Sequence, residues 1–125
     1  MEIDLARLTE AVDFARHRLG ESLLSFSIVE ASTGLALATF EPRPVMDAIL
    51  TELDGRIDTS LLQSRLRPGL GDYCLFELDG RRLAIIIRPA AQLRGLMLLD
   101  LTKANLGTVL AIVVPRILTL CRGGD

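Results

Sequence analysis

The chain has 125 residues, half of them hydrophobic, with 14 Lys and Arg against 16 Asp and Glu, one His and a formal net charge of -2. That length suits one domain, residues 1–125, whose core needs no metal or disulfide staple, and that charge offers no general attraction for nucleic acid. No stretch reaches the roughly 18 uncharged apolar residues of a membrane span; the longest candidate, Leu106 to Leu120, carries Pro115 and Arg116, so no membrane insertion is expected.

The first residues, Met1-Glu2-Ile3-Asp4, lack the basic and apolar regions of a signal peptide, which predicts a cytoplasmic location. Leu5, Leu8, Val12, Ala15 and Leu19 then recur at helical spacing, with Asp4 placed to cap the first turn and Gly20 to end the last. Ser22 to Glu30 and Leu35 to Phe40, joined by Ala31-Ser32-Thr33-Gly34, read as a β-hairpin with small residues along one face. Pro42 and Pro44 end it. Met46, Ile49, Leu50, Leu53 and Ile57 mark an amphipathic helix, expected to break or cap at Gly55, with a short further turn between Thr59 and Leu66. Arg67-Pro68-Gly69-Leu70-Gly71 is a loop. Three strands follow, Asp72 to Leu78, Arg82 to Pro89 and Leu96 to Thr102, the first two flanking Asp79-Gly80 as a type I′ hairpin turn and the last entered through Gln92 to Gly95. An apolar helix from Lys103 to Cys121 closes the chain, with a kink predicted at Pro115 because proline removes a backbone donor in mid-helix.

The order α-β-β-α-β-β-β-α predicts an α+β fold of profilin-like layout, a five-stranded antiparallel sheet with helices on both faces. Leu83 to Ile87 and Leu96 to Leu99 are apolar at both parities, which an antiparallel sheet tolerates only when neither face is wet. The first and last helices can share one face. One central helix leaves the other face incompletely covered, and the strand Tyr73 to Leu78 stands as an apolar edge, so the simplest completion is a homodimer.

The residues of catalysis are missing. His17, between Arg16 and Arg18 at the end of the first helix, reads as a solvated or dipole-complementing residue. No Ser/His/Asp set forms without it, and the acidic pair Glu52 and Asp54 reads as solvated helix surface. The single lysine, Lys103, follows no glycine-rich run, so no phosphate loop is present and neither binding nor hydrolysis of nucleotide is expected. Cys74 and Cys121 lie far apart on apolar segments and read as reduced thiols. No cofactor and no metal are expected. Thirteen of the 14 basic residues are arginine, a residue suited to protein contacts; Arg43 and Arg56, which bracket the middle helix, and Arg65 and Arg67 beside the third strand are the candidates.

The hairpin Phe26-Ser27-Ile28-Val29-Glu30-Ala31-Ser32-Thr33-Gly34-Leu35-Ala36-Leu37-Ala38, the junction Leu99-Asp100-Leu101-Thr102-Lys103-Ala104-Asn105-Leu106-Gly107 and the element order together resemble the Roadblock/dynein light chain family. The resemblance implies a non-enzymatic dimeric interaction module that regulates or scaffolds a Ras-like small GTPase. It also implies a dimer joined through the third strand and the central helix. Met46, Ile49, Leu50, Leu53, Tyr73, Leu75 and Glu77 are then expected at the dimer interface. Arg43, Asp47, Glu52 and Arg56, with Thr51 and Asp54 beside them, are expected on an outward face that binds the partner. The alternative is a small-ligand sensor of GAF, PAS or profilin-like type, which would need polar groups converging on a pocket; Ser25, Ser27 and Thr39 are the small polar residues its strands offer.

Overall fold

A computed structural model describes residues 3–64 and 69–124. Arg65, Arg67 and the rest of 65–68 lie outside the described residues, as does the end of the short helical turn expected near them.

Helix α1 spans Leu5–Leu19. The Asp4 side chain caps it by accepting from the amides of Ala6 and Arg7, and Gly20, at φ 55°, ends it by donating to the Arg16 carbonyl. Its buried side is Leu8, Ala11, Val12 and Ala15; Leu5, expected on that stripe, is 54% exposed. Strands β1 (Leu23–Glu30) and β2 (Ala36–Phe40) form the expected hairpin, with a bulge between Ile28 and Val29. Helix α2 then runs unbroken over Pro44–Gln63. The break expected at Gly55 does not occur: a mid-helix glycine costs only about 1 kcal/mol against alanine, and buried anchors at Leu50 and Asp54 hold the turns before it.

Strands β3 (Tyr73–Leu78), β4 (Arg82–Ala90) and β5 (Leu93–Asp100) complete one antiparallel sheet of order β2-β1-β5-β4-β3. The β3–β4 turn corrects the two-residue reading. Leu78 pairs with Arg82, leaving three residues between, and the positive φ values fall on Gly80 (75°) and Arg81 (60°) rather than on Asp79 and Gly80. Strand β5 begins three residues earlier than expected because Gly95 belongs to the sheet. A Cβ on Gly95 would stand 3.2 Å from Phe26 Cε1 and 3.3 Å from Ile87 Cβ, so the glycine serves close packing rather than a turn.

The last helix, α3, starts later than expected, at Leu106. Asp100 accepts from the Thr102 amide and hydroxyl to hold a turn, and Asn105 caps the helix by accepting from the Thr108 amide. It is α-helical over Leu106–Thr108, π-helical over Val109–Val113 and α-helical again over Val114–Cys121. The Val114 amide reaches back five residues to the Val109 carbonyl just before Pro115, which then sits in a first turn, where its missing donor costs little. A widened turn thus takes the place of the simple proline kink.

Both faces of the sheet carry helices, α1 and α3 over one and α2 over part of the other, which accounts for the doubly apolar strands. Phe26, Ile28, Ile85, Ile87, Met97 and Leu99 pack with Leu8 and Val12 of α1 and Val113 and Ile117 of α3. On the opposite face Val29, Ala84, Ile86, Leu96 and Leu98 meet Leu50 of α2.

Candidate functional interface

Helix α2 lies on the sheet by one side and presents the other. Leu50 is 4% exposed and packs in the core, while Met46 packs part-buried against the same cluster and Leu53 is half-buried. Leu50 is therefore consumed by the monomer's own packing rather than held for a partner. Outward, the helix shows Val45 (76% exposed), Ile49 (53%) and Leu62 (66%), among exposed Ala48, Glu52 and Arg56. Glu52 and Arg56 pair across one turn at 2.7 Å, with both side chains well exposed. Arg43 is half-buried at the N-cap, where its carbonyl accepts from the Asp47 amide.

Strand β3 is an edge strand. Cys74, Phe76 and Leu78 turn toward the α2 cluster, whereas Tyr73 (39% exposed), Leu75 (38%) and Glu77 turn away from it and stay open. Among the described residues no strand pairs with the outer side of β3, so a row of backbone donors and acceptors carries partly exposed apolar side chains on both sides, which is a pairing edge.

Three residues expected on the outer rim are turned inward or engaged. Asp54 is 5% exposed: its Oδ2 accepts from Arg94 Nε at 2.7 Å, and its Oδ1 stands 3.1 Å from Arg88 Nε as an ion pair without hydrogen-bond alignment. Arg88 also reaches Asp58 at 3.3 Å, and Arg94 Nη1 donates to the carbonyls of Ala90 and Leu93 at the β4–β5 turn. This network fastens α2 to the sheet. Asp47 is half-buried and accepts from the Ser27 hydroxyl at 2.7 Å, while Thr51 donates back to the Asp47 carbonyl. Burial raises the Asp47 carboxyl above its ordinary value, with the Ser27 hydrogen bond opposing the rise. The outward reading of both acids fails because helical position alone takes no account of the strands beneath. Arg88 and Arg94, lone charges within otherwise aliphatic strands, are the signal that buried acids face them.

Two first-helix arginines also have structural work. Arg7 Nε donates to the Leu120 carbonyl at 3.4 Å, and the Arg16 guanidinium lies 4.6 Å over the Phe40 ring. His17 is exposed, with Nδ1 2.8 Å from the Asp13 carbonyl. Burial pushes the Cys121 thiol up to about 11 and also raises Cys74. Among the described residues, no group of His, Cys, Asp and Glu is arranged to hold a metal, and no helix is long and apolar enough to cross a membrane.

No family model matches the sequence, and no curated protein matches it by sequence. Solved structures do match the fold. Myxococcus xanthus MglB superposes with a TM-score of 0.79 at 7% identity over 98% of this chain and 90% of that one. The gliding protein MglB of Thermus thermophilus gives 0.76 at 13% identity over 95% and 88%. A Roadblock/LC7 domain from Streptomyces avermitilis gives 0.71 at 12% identity over 92% of each chain. The architecture is thus the Roadblock/LC7 fold.

Proposed function

We propose that this Roadblock-fold chain is a non-catalytic homodimeric module that binds a Ras-like small GTPase and regulates or scaffolds it. The observation that carries the reading is the presence of two open features among the described residues: the edge of β3, with Tyr73 and Leu75 partly exposed, and the outer side of α2, with Val45 and Ile49 exposed. Pairing two β3 edges makes one ten-stranded sheet from two five-stranded ones and sets two α2 helices side by side on one face. That composite surface exists in no monomer. Its polar rim is Arg43, Glu52 and Arg56, around apolar residues at its centre, the usual anatomy of a protein interface. The resemblance to the Roadblock family supplies the class of partner, and a similar structure described as MglB with a tetrameric arrangement supports self-association as a property of the fold.

Charge reversal tests the partner face. Glu52→Arg combined with Arg56→Glu keeps an ion pair across the turn while inverting its field, so the helix and the dimer survive. Capture of Ras-like GTPases of the same organism, loaded with GDP or a GTP analogue, should fall about tenfold in this variant, a loss of about 1.4 kcal/mol. Glu10→Arg with Arg18→Glu, at exposed positions of α1, should leave capture unchanged. Sensitivity to the α1 changes, or capture of no GTPase, overturns the assignment.

A further inference from the structure

Helix α2 does not reach across the whole sheet face, and the end it leaves open is hollow. Between the β1–β2 hairpin and the first half of α2 lies a cleft of about 750 Å³, within the size range of small-molecule sites. Its floor is Val29, Ala36 and Thr39, and its far wall is Pro44, Asp47 and Ala48. The hollow follows from the sequence: small side chains at Ala31, Gly34, Ala36 and Ala48 line it where larger ones would fill it.

The charges of this cleft are of one sign. Asp47 and Glu52 line it, and among the described residues no arginine, lysine or histidine does. Glu52 has Arg56 as its partner. Asp47 has no ion-pair partner among the described residues; its carboxylate accepts from the Ser27 hydroxyl and from the Arg43 backbone. The comparison with Asp54, seven residues along the same helix, is direct. That carboxylate is also withdrawn from water, and two arginines compensate it. Asp47 is held by these two hydrogen bonds and by its place in the first turn of α2, and with no cation beside it the carboxylate stands on the wall of an apolar cleft wide enough to receive one.

We infer that this cleft binds a small organic cation, a primary amine or guanidinium carried on an apolar body, with Asp47 as its counter-ion and Val29, Ala36, Pro42, Pro44 and Ala48 enclosing the body. The site is built from residues of one protomer and borders the outer side of α2 through Ala48 and Glu52. Ser27 fixes the carboxylate, so the head group meets an anion already oriented, and Thr39 offers a hydroxyl from the floor. Of the three polar strand residues a ligand sensor would use, Thr39 lines this cleft and Ser27 stands buried behind Asp47.

The test is a titration of the ¹⁵N-labelled full chain with phenethylamine and, separately, with hydrocinnamate, which carries the opposite charge on a similar body. Phenethylamine should shift the amides of Ala36, Thr39, Asp47 and Ala48 saturably, while hydrocinnamate should not. Asp47→Asn retains an acceptor for Ser27 and the side-chain volume but removes the charge, and should weaken amine binding at least about tenfold. Ala36→Leu, at an exposed edge position, should block the cleft and abolish the shifts with Asp47 intact. Equal responses to amine and acid, undiminished binding in both variants, or shifts that map elsewhere would overturn the proposal. So would the absence of any saturable shift with the amine.

Discussion

Asp54 shows how much one side chain can hold at this fold's least covered face. Its carboxylate neutralises Arg88 and Arg94 at the junction of α2, β4 and β5, and Arg94 in turn binds the β4–β5 turn. Removing one partner of a buried ionic group leaves the other charge stranded, which costs about 3–5 kcal/mol. Asp54→Ala should therefore lower unfolding free energy by an amount of that order in urea titrations, whereas Asp58→Ala, whose partner keeps a second acid, should cost well under half as much. Asp47 behaves in the opposite sense. Its folded carboxyl lies above the ordinary 3.8 through burial, so the stability it contributes is present at pH values below that figure and is lost as pH rises through the raised value. Asp47→Asn lacks this loss. Its melting temperature should gain on the wild type as pH goes from about 3 to 7, and a constant difference would contradict the burial argument. Cys121, held up to about 11, should stay protonated and resist alkylation at pH 8 until the chain is unfolded.

At the scale of elements, patterning is informative wherever apolar spacing alone decides the outcome. Leu8, Val12 and Ala15 place α1, and the aliphatic runs of β4 and β5 announce a sheet covered on both faces. Boundaries set by tertiary contact are not legible. Gly95 reads as a turn residue in the chain and is a packing residue in the sheet, because Phe26 is brought against it only by the β1–β5 pairing. Gly55 reads as a stop, yet the helix continues because the residues before it are anchored. Helix α2 and strand β3 do carry open apolar residues, Val45, Ile49, Tyr73 and Leu75, but Asp47, Asp54 and Leu50 are turned toward the sheet or engaged, because the side of α2 that meets the sheet depends on how the helix is rotated about its axis. Pro115 gives the element-scale prediction. With the π turn already arranged before it, Pro115→Ala should change stability by less than about 1 kcal/mol rather than by the roughly 3 kcal/mol of a proline in a regular helix interior. A gain near the larger figure would mean that the π turn stores strain.

The whole molecule is a sheet sealed at neither end, with one helix standing over a face it covers incompletely. The β2 edge is short, and its inner residues Leu37, Ala38 and Phe40 are held against the α1 side of the core. The β3 edge carries apolar side chains partly exposed on both sides, and the outer side of α2 adds Val45 and Ile49. A chain that left all of this in water would have a strong tendency to aggregate. Self-pairing answers both features with one operation, and an isologous contact of this kind closes after two copies. The proposed GTPase contact depends on that closure, since the partner surface is the pair of α2 helices. The direct measurement is multi-angle light scattering of the wild-type chain at micromolar concentration beside Leu75→Pro, which removes an amide donor in the β3 strand and introduces a ring that a paired strand cannot accept. The wild type should show twice the mass of one chain, and the variant should be monomeric or aggregated. A wild-type monomer, or a dimer indifferent to proline at position 75, would contradict pairing through β3.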